Sequence, residues 1–340
     1  MAENGCLLWR FLPTTPMKRI DIPYRLNGDF MYVNQHVQGN SNTLNERHPD
    51  CTFVSVIIPV YNDQAGIDEC LRALDAQTWP RECYEIIVVD NASNPPIKID
   101  PSFKDVACIL TCPTSGSYAA RNAGISKAQG EVFAFTDADC FPDPDWISAG
   151  AAALERNRGR FIIGGEVALF LSQQPTAVEL YQYWGSFMQR ENIEHLGFSV
   201  TANLFVTRSQ VQGVGTFDER LFSGGDLEWC WRAAHSGFPV IFAPEVKVTT
   251  APRRSLSSAI RQVRRVAGGR HKLRKMKTAH INPAAVKPRR TGWAAARWIL
   301  SHPDISAWNR IRIFCVALVL RIAQVIESLR LSHGSTAERR

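Results

Sequence analysis

Gly130-Glu-Val-Phe-Ala-Phe-Thr-Asp-Ala-Asp139 is the stretch on which the reading of this sequence turns. Val132 to Thr136 is a short apolar, β-branched run of the kind that fills a buried strand. It runs directly into Asp137-Ala-Asp139, two carboxylates one residue apart. Cys140-Phe-Pro-Asp-Pro-Asp-Trp146 follows, a proline-set turn that starts a helix. Carboxylates delivered by a strand end suit a hard divalent cation, because Mg²⁺ and Mn²⁺ take oxygen ligands and share them with phosphates. A bare Asp-x-Asp is usually a solvated turn; its position between a buried strand and a helix start gives this one weight.

Working outward, Phe53-Val-Ser-Val-Ile-Ile-Pro-Val-Tyr61 reads as a buried strand closed by Asn62-Asp63. Ile67, Cys70, Leu71 and Leu74 then recur at helical spacing. Glu85 to Asp90 is a second strand and Val106 to Leu110 a third; Ser117 to Ala128 reads as a helix stopped by Gly130. Strands alternating with helices at this spacing imply an α/β domain with a mainly parallel, Rossmann-like sheet flanked by helices. Ligands bind such sheets beyond the carboxyl ends of the strands, and three strand ends here deliver Asn62-Asp63, Asp90 and Asp137/Asp139 to one rim. Asp90 reads either as an Asx turn or as an acceptor for a base or ribose group. Arg121, within the helix, reads as a surface residue or a phosphate contact.

The second half is less regular. Phe161–Gly164 and Glu166–Phe170 read as strands around a glycine pair, Pro175–Gln189 as an aromatic-rich helix and Thr201–Val206 as a strand. Phe238–Phe242 and Val246–Thr249 read as two more short strands. Gly224-Gly-Asp226 precedes a helix to His235, making Asp226 an N-cap or a general base. In that helix Trp229 and Trp231 read as packing, and Glu228 with Arg232 as an i, i+4 ion pair.

Composition limits the function classes. With 45% hydrophobic and 21% charged residues over 340, the chain is neither disordered nor fibrous. Its charge is uneven: residues 251–340 hold 20 Lys/Arg against 3 Asp/Glu, and the first 250 hold 19 against 29. A basic tail on an acidic body seeks polyanions. The nine cysteines form no CxxC pair and read as reduced thiols in a cytosolic compartment. No signal pattern opens the sequence, and no run reaches the roughly 18 apolar residues of a membrane span. Residues 1–51 read as an irregular extension with a short strand at Phe30–Val33, residues 52–252 as the α/β domain and residues 253–340 as a basic helical region.

Val54-Ser-Val-Ile-Ile-Pro-Val-Tyr-Asn62, Ile86-Ile-Val-Val-Asp90, Ala120-Arg-Asn-Ala-Gly-Ile125, Gly130 to Asp139, and Gly225-Asp226 with Arg232 fall in an order that resembles the family 2 glycosyltransferases. The resemblance covers about Thr52 to Thr250. It implies a GT-A fold, a nucleotide-diphosphate sugar donor (a UDP-sugar by preference), Mg²⁺ or Mn²⁺, and inversion at the anomeric carbon by direct displacement. Residue by residue, it implies that Pro59, Val60 and Tyr61 line the nucleotide pocket, Asp90 contacts the base and Arg121 lies near the nucleotide. Asp137 would face the ribose or metal, Asp139 would hold the metal against the diphosphate, and Asp226 would be the base on the acceptor hydroxyl. The sequence departs from the pattern in three places. Gly225 stands where many relatives have Glu, no His follows the last core strand, and Val266 replaces Trp in Gln262-Val-Arg-Arg-Val266, where Arg265 or a neighbour would meet the leaving diphosphate.

Arg253 to Lys277 packs ten Lys/Arg with no acidic residue. A nucleic-acid binder would interleave aromatics for base stacking, and this run has none besides His271. A catalytically dead relative acting as a binding partner is disfavoured by Asp90, Asp137, Asp139 and Asp226 occurring together. Asn309–Leu331 is apolar punctuated by arginines. It reads as a helix at a membrane interface, or docked on the body or on a second subunit. The interface is favoured because acceptors of the resembled family are often lipid-linked or growing polysaccharide. The expected location is cytoplasmic, with a peripheral contact to the membrane face through 309–331.

Overall fold

The computed structural model describes residues 51–185, 188–276 and 305–335. The strand expected at Phe30–Val33 lies outside them. In chain order the elements are β1 (Val54–Val60), α1 (Gln64–Asp75), β2 (Tyr84–Asp90), β3 (Ala107–Thr111), α2 (Ser117–Lys127) and β4 (Val132–Thr136). Then come β5 (Cys140–Pro142), α3 (Trp146–Arg156), β6 (Ile162–Leu169), α4 (Ala177–Gly185), α5 (Gln189–Leu196), β7 (Asn203–Thr207) and α6 (Arg208–Val214). They are followed by α7 (Gly225–His235), β8 (Val240–Thr250), α8 (Leu256–Lys275) and a last described helix, α9 (Ala307–Ser332).

One eight-stranded sheet runs β3-β2-β1-β4-β7-β6-β8-β5. The β3-β2-β1-β4 pairings are parallel, β7 reverses, β6 and β8 return, and β5 reverses at the edge. The pleat explains the layers. Val54, Val56, Ile58 and Val60 face α1 and α3 through Leu71, Leu74, Trp146 and Ile147. Ile57, Ile87 and Phe135 face α2 and α7 through Tyr118, Ala120 and Trp229. Alternation on a sheet covered on both faces gives the continuous apolar runs seen in the sequence.

Two expectations are corrected where the sheet bends. The two strands expected at Phe161–Phe170 are one strand, β6, and those at Phe238–Thr249 are one strand, β8. Gly165 pairs with Ala243 but Glu166 pairs with Lys247, so Pro244, Glu245 and Val246 are looped out of register. Proline is tolerated at such a bulge. A Cβ on Gly165 would stand 2.2 Å from the Val246 carbonyl, so the close approach requires glycine there. Asn203 stitches this bend: its Nδ2 donates to the Glu166 and Val246 carbonyls, and its Oδ1 accepts from Trp146 Nε1. The helix expected over Pro175–Gln189 is the shorter α4, which ends at Gly185, a poor helix residue, and a further helix not expected from the sequence, α5, begins at Gln189.

The thiol expectation is corrected at one pair. The register Val54↔Tyr84 sets the entries of β1 and β2 side by side, and Cys51 and Cys83 are disulfide-bonded with Cα atoms 6.2 Å apart. Cys70, Cys108, Cys112, Cys140, Cys230 and Cys315 are free. The basic region packs on the domain: Leu273 of α8 enters the α2–α7 core, and α9 sets Val316 and Leu320 against Ala259 of α8 and Val178 of α4.

Candidate active site

Parallel β1, β2 and β4 end on one rim, and a cleft of about 450 Å³ opens there. Pro59, Val60 and Tyr61 line it from the end of β1, with Asn62 and Asp63 beyond them. Arg121 joins from α2, Asp137 and Asp139 from the turn after β4, and Arg253, Arg261, Gln262 and Arg265 from the strap and helix that follow β8. Of the nine residues expected at the site, seven line this cleft; Asp90 and Asp226 do not.

Asp90 is 3% exposed, and both its oxygens are occupied. Oδ1 accepts from the Ser93 amide and Oδ2 from the Ile97 amide, so Asp90 holds the loop after β2. The Asx-type alternative is therefore the role its hydrogen bonds display. Its neighbour Asn91 reaches the cleft and braces the approach to α2, donating to the Cys112 and Thr114 carbonyls and accepting from the Gly116 amide.

Arg121 is not a surface arginine: it is 2% exposed and ion-paired with Asp137. Its Nε–H finds no acceptor among the described residues, although it lines the cleft. A buried donor left over is a donor reserved for a ligand or water. Asp139 opens into the cleft, and its carboxylate receives its own backbone amide and the Cys140 thiol, the latter at 4.0 Å. The protein packed around the cleft floor, with Asp137 and Asp63 nearby, pushes Asp139 up to about 6, opposed by Arg253. Crowded carboxylates with open oxygens are what a divalent cation relieves. The donor set therefore fits Mg²⁺ or Mn²⁺ held by Asp139 and Asp137, with phosphate oxygens completing the shell. No group of three protein ligands occurs among the described residues.

Asp226 opens α7 after Gly224, whose φ of +80° is left-handed backbone suited to glycine. Oδ1 of Asp226 accepts from the Leu227 amide at 2.9 Å and from the Tyr118 hydroxyl at 3.2 Å. Oδ2 has no donor among the described residues, which leaves one lone-pair face open. Burial pushes the Asp226 carboxyl up, while the Leu227 amide, Arg121 and the Tyr118 hydroxyl oppose that rise. Burial also pushes the Tyr118 phenol up, so it stays a donor. The Arg121 guanidinium lies 5.7 Å from the centre of the Tyr118 ring, which links Asp226 through Tyr118 and Arg121 to Asp137. Trp229 and Trp231 are packing residues whose indole N–H groups donate to Gly215 and Leu196 carbonyls, and Arg232 pairs with Glu228.

Sequence reading placed Asn62 and Asp63 on the rim without giving them a role, and missed Asn91, Phe222, Arg253 and Arg261 as cleft residues. The arginines carried a signal, a basic run directly after the last core strand; the asparagines carried only turn chemistry.

Residues 55–202 match the Glycosyl transferase family 2 description, and residues 132–327 match Glycosyl transferase family group 2. Among curated proteins the chain is similar to glycosyltransferase AglE of Haloferax volcanii, 36% identical over 222 residues, 64% of this chain and 72% of that protein. It is also similar to the pre-mycofactocin glycosyltransferase of Mycobacterium tuberculosis, 27% identical over 209 residues, 58% of this chain and 42% of that one. Among solved structures it superposes on the mannosyltransferase PcManGT of Pyrobaculum calidifontis, in complex with GDP-Man and Mn²⁺. That match has a TM-score of 0.52 at 19% identity and covers 84% of this chain and 80% of that chain. The likeness shows the fold, and the fold is GT-A, as the motifs imply.

Proposed function

The chain belongs to glycosyltransferase family 2, and from that premise we propose that it moves a sugar from a nucleoside-diphosphate donor to a hydroxyl of a glycan or lipid-linked acceptor, with inversion. The observation that carries this reading is the cleft itself: carboxylates that follow β1 and β4, Asp139 among them open, face arginines from the strap and α8 across a space large enough for a nucleotide. Mg²⁺ or Mn²⁺ on Asp139 and Asp137 would neutralise charge on the diphosphate. Arg121 orients Asp137 and sets its guanidinium beside the donor. Pro59, Val60 and Tyr61 shape the nucleotide pocket, and Asp90 positions the loop beside it.

In the reaction, Asp226 takes the proton of the acceptor hydroxyl on its open Oδ2. The acceptor oxygen bonds to the anomeric carbon as the bond to the β-phosphate oxygen breaks. The electron pair leaves on the diphosphate, where Arg253, Arg261 and Arg265 meet the growing charge. A UDP-sugar is the first donor to test.

The test is release of nucleoside diphosphate from a panel of nucleotide sugars with Mn²⁺ or Mg²⁺. Turnover of one donor, abolished by chelator and by Asp139→Ala and lowered at least about 100-fold by Asp226→Ala, is expected. Turnover that survives chelation and Asp139→Ala overturns the metal assignment. Failure to bind or hydrolyse any donor overturns the reading as a whole.

A further inference from the structure

Helix α9 is two-faced. Ile313, Val316, Leu320 and Leu331 are buried, the middle two against α4 and α8. On the other side Trp308, Ile311, Leu318, Ile322, Ile326 and Leu329 are each more than half exposed. At about 100° per residue these six fall within an arc of about 80°. Such a face, continuous over the whole helix, is not the scattered exposure of an ordinary surface. Docking on the body and presenting an apolar face are thus not alternatives for this helix: it does both.

We infer that this outward face of α9 is a docking surface for an anionic lipid membrane. The charges around it select that partner. Arg321 stands exposed on one side of the apolar arc with half-buried Arg310 beyond it; Arg312, which donates to the Pro175 carbonyl, and Arg330, paired with Glu327, flank the other side. The helix has one acidic residue, Glu327, which is 2% exposed and held by Arg330 on the buried side. Arginines on both edges of an apolar face match a layer of lipid phosphates above acyl chains. A second copy of the chain is the poorer fit, because paired helices carry complementary charges beside the seam and here both borders would set arginine against arginine. No helix among the described residues is long and apolar enough to cross a membrane.

The position of α9 links this surface to the cleft. Helix α8 sends Arg261, Gln262 and Arg265 into the cleft and packs Ala259, Ile260 and Val263 toward α9. Helices α8 and α9 together therefore lie between the cleft and the outward face, a span that a lipid-linked acceptor would bridge. That last step rests on the proposed reaction; the docking does not.

The experiment is co-sedimentation of the full chain with vesicles of phosphatidylcholine alone and of phosphatidylcholine mixed with phosphatidylglycerol in equal parts. Binding is expected to the mixed vesicles and to weaken with salt. Leu318→Asp with Ile322→Asp should weaken it at least about tenfold, and Arg321→Glu about tenfold on mixed vesicles with little effect on neutral ones. Because all three residues are exposed, the variants should keep the wild-type circular dichroism and rate of donor hydrolysis. Arg321→Glu guards the conclusion against a misfolded double variant. Equal binding by wild type and variants, or no binding to mixed vesicles, overturns the inference. So does a lipid-free dimer, seen by sedimentation, that the double variant dissolves. Loss of vesicle binding with donor turnover intact separates this surface from the reaction, and absent turnover with vesicle binding intact would count against the reaction alone.

Discussion

Replacing Tyr118 by Phe removes one hydrogen bond from the carboxylate assigned as base and little else. The ring is 5% exposed, stacks on Phe217 at 5.7 Å and does not line the cleft, so Phe should keep the packing. The lost bond runs from the hydroxyl to Oδ1 of Asp226 at 3.2 Å, long for a charge-assisted contact. That places it near the lower end of the range for bonds to charged groups, about 1.5 kcal/mol. The bond favours the ionised carboxylate, which burial disfavours. A base works deprotonated, so activity is lost as pH falls through its pKa, and removing Tyr118's hydroxyl moves that loss to higher pH. On the acidic limb the rate is proportional to the ionised fraction, and about 1.5 kcal/mol corresponds to about a tenfold lower rate there. On the plateau the carboxylate is ionised in both proteins, and the rate should change less than about threefold, rising if anything because the base is stronger. The assay is kcat/KM for sugar transfer from pH 4 to 9 in constant ionic strength. An acidic limb that stays in place in Tyr118→Phe, with a uniform loss at every pH, would refute the role of Asp226 as the titrating base.

Three further outcomes follow from the hydrogen-bond pattern and the cleft charges. Asn203→Ala strips partners from two carbonyls and the Trp146 indole in a fully buried site, and should cost about 3–5 kcal/mol in urea unfolding; a midpoint within error of wild type would show that the sheet bend holds without it. Asp90→Ala orphans the Ser93 and Ile97 amides and should speed hydrogen exchange across Asn91–Ile97 by about 30-fold, from about 2 kcal/mol of lost loop stability. A loss of donor preference with unchanged exchange would instead return Asp90 to the base-contact role. Arg265→Ala should weaken nucleoside-diphosphate binding by about tenfold and flatten its salt dependence, read by calorimetry at two salt concentrations; unchanged affinity would remove Arg265 from the diphosphate site.

What could be read from the sequence was what local physics dictates. Strands β1, β2 and β4 are buried on both faces, so their sequences are continuous apolar runs, and their polar ends mark the rim. Helix α7 was visible because Gly224-Gly225-Asp226 marks its start, Glu228 and Arg232 stand four residues apart and Gly237 ends it. Helix α6 was missed although Thr207 and Gln210 form a capping box, each side chain bonding the other's backbone; the segment after it lacks an apolar stripe long enough to attract notice. The bulge in β8 was misread because a proline between two apolar runs looks like a boundary, and only the partner strand shows the two halves to be one. The ion pair of Arg121 with Asp137 spans 16 residues and depends on how α2 crosses β4, which no spacing rule encodes. The Cys51–Cys83 bond likewise needs the β1–β2 register, not the cysteine spacing.

The uneven charge of the chain acquires a physical meaning once the helices are placed. Read as one tail, the surplus of Lys and Arg after residue 250 asks for one polyanion. The structure divides it. Arg253, Arg261 and Arg265 face Asp63 and Asp139 across the cleft, while Asp137 is held by Arg121, so the cleft carries a surplus of arginine that a diphosphate would meet. Arg310, Arg312 and Arg321 flank an apolar face together with Arg330, which the one acid on their helix, buried Glu327, holds in an ion pair. The first group meets anions in a cleft of fixed size and the second along an open surface, so the two should differ in their response to salt. Screening weakens exposed, separated charges first. Raising ionic strength should therefore release the chain from anionic vesicles at a salt concentration that still leaves nucleoside-diphosphate binding measurable. If both are lost in parallel, the basic residues act as one undivided surface, and the separate assignment of α8 to the donor and α9 to the membrane is wrong.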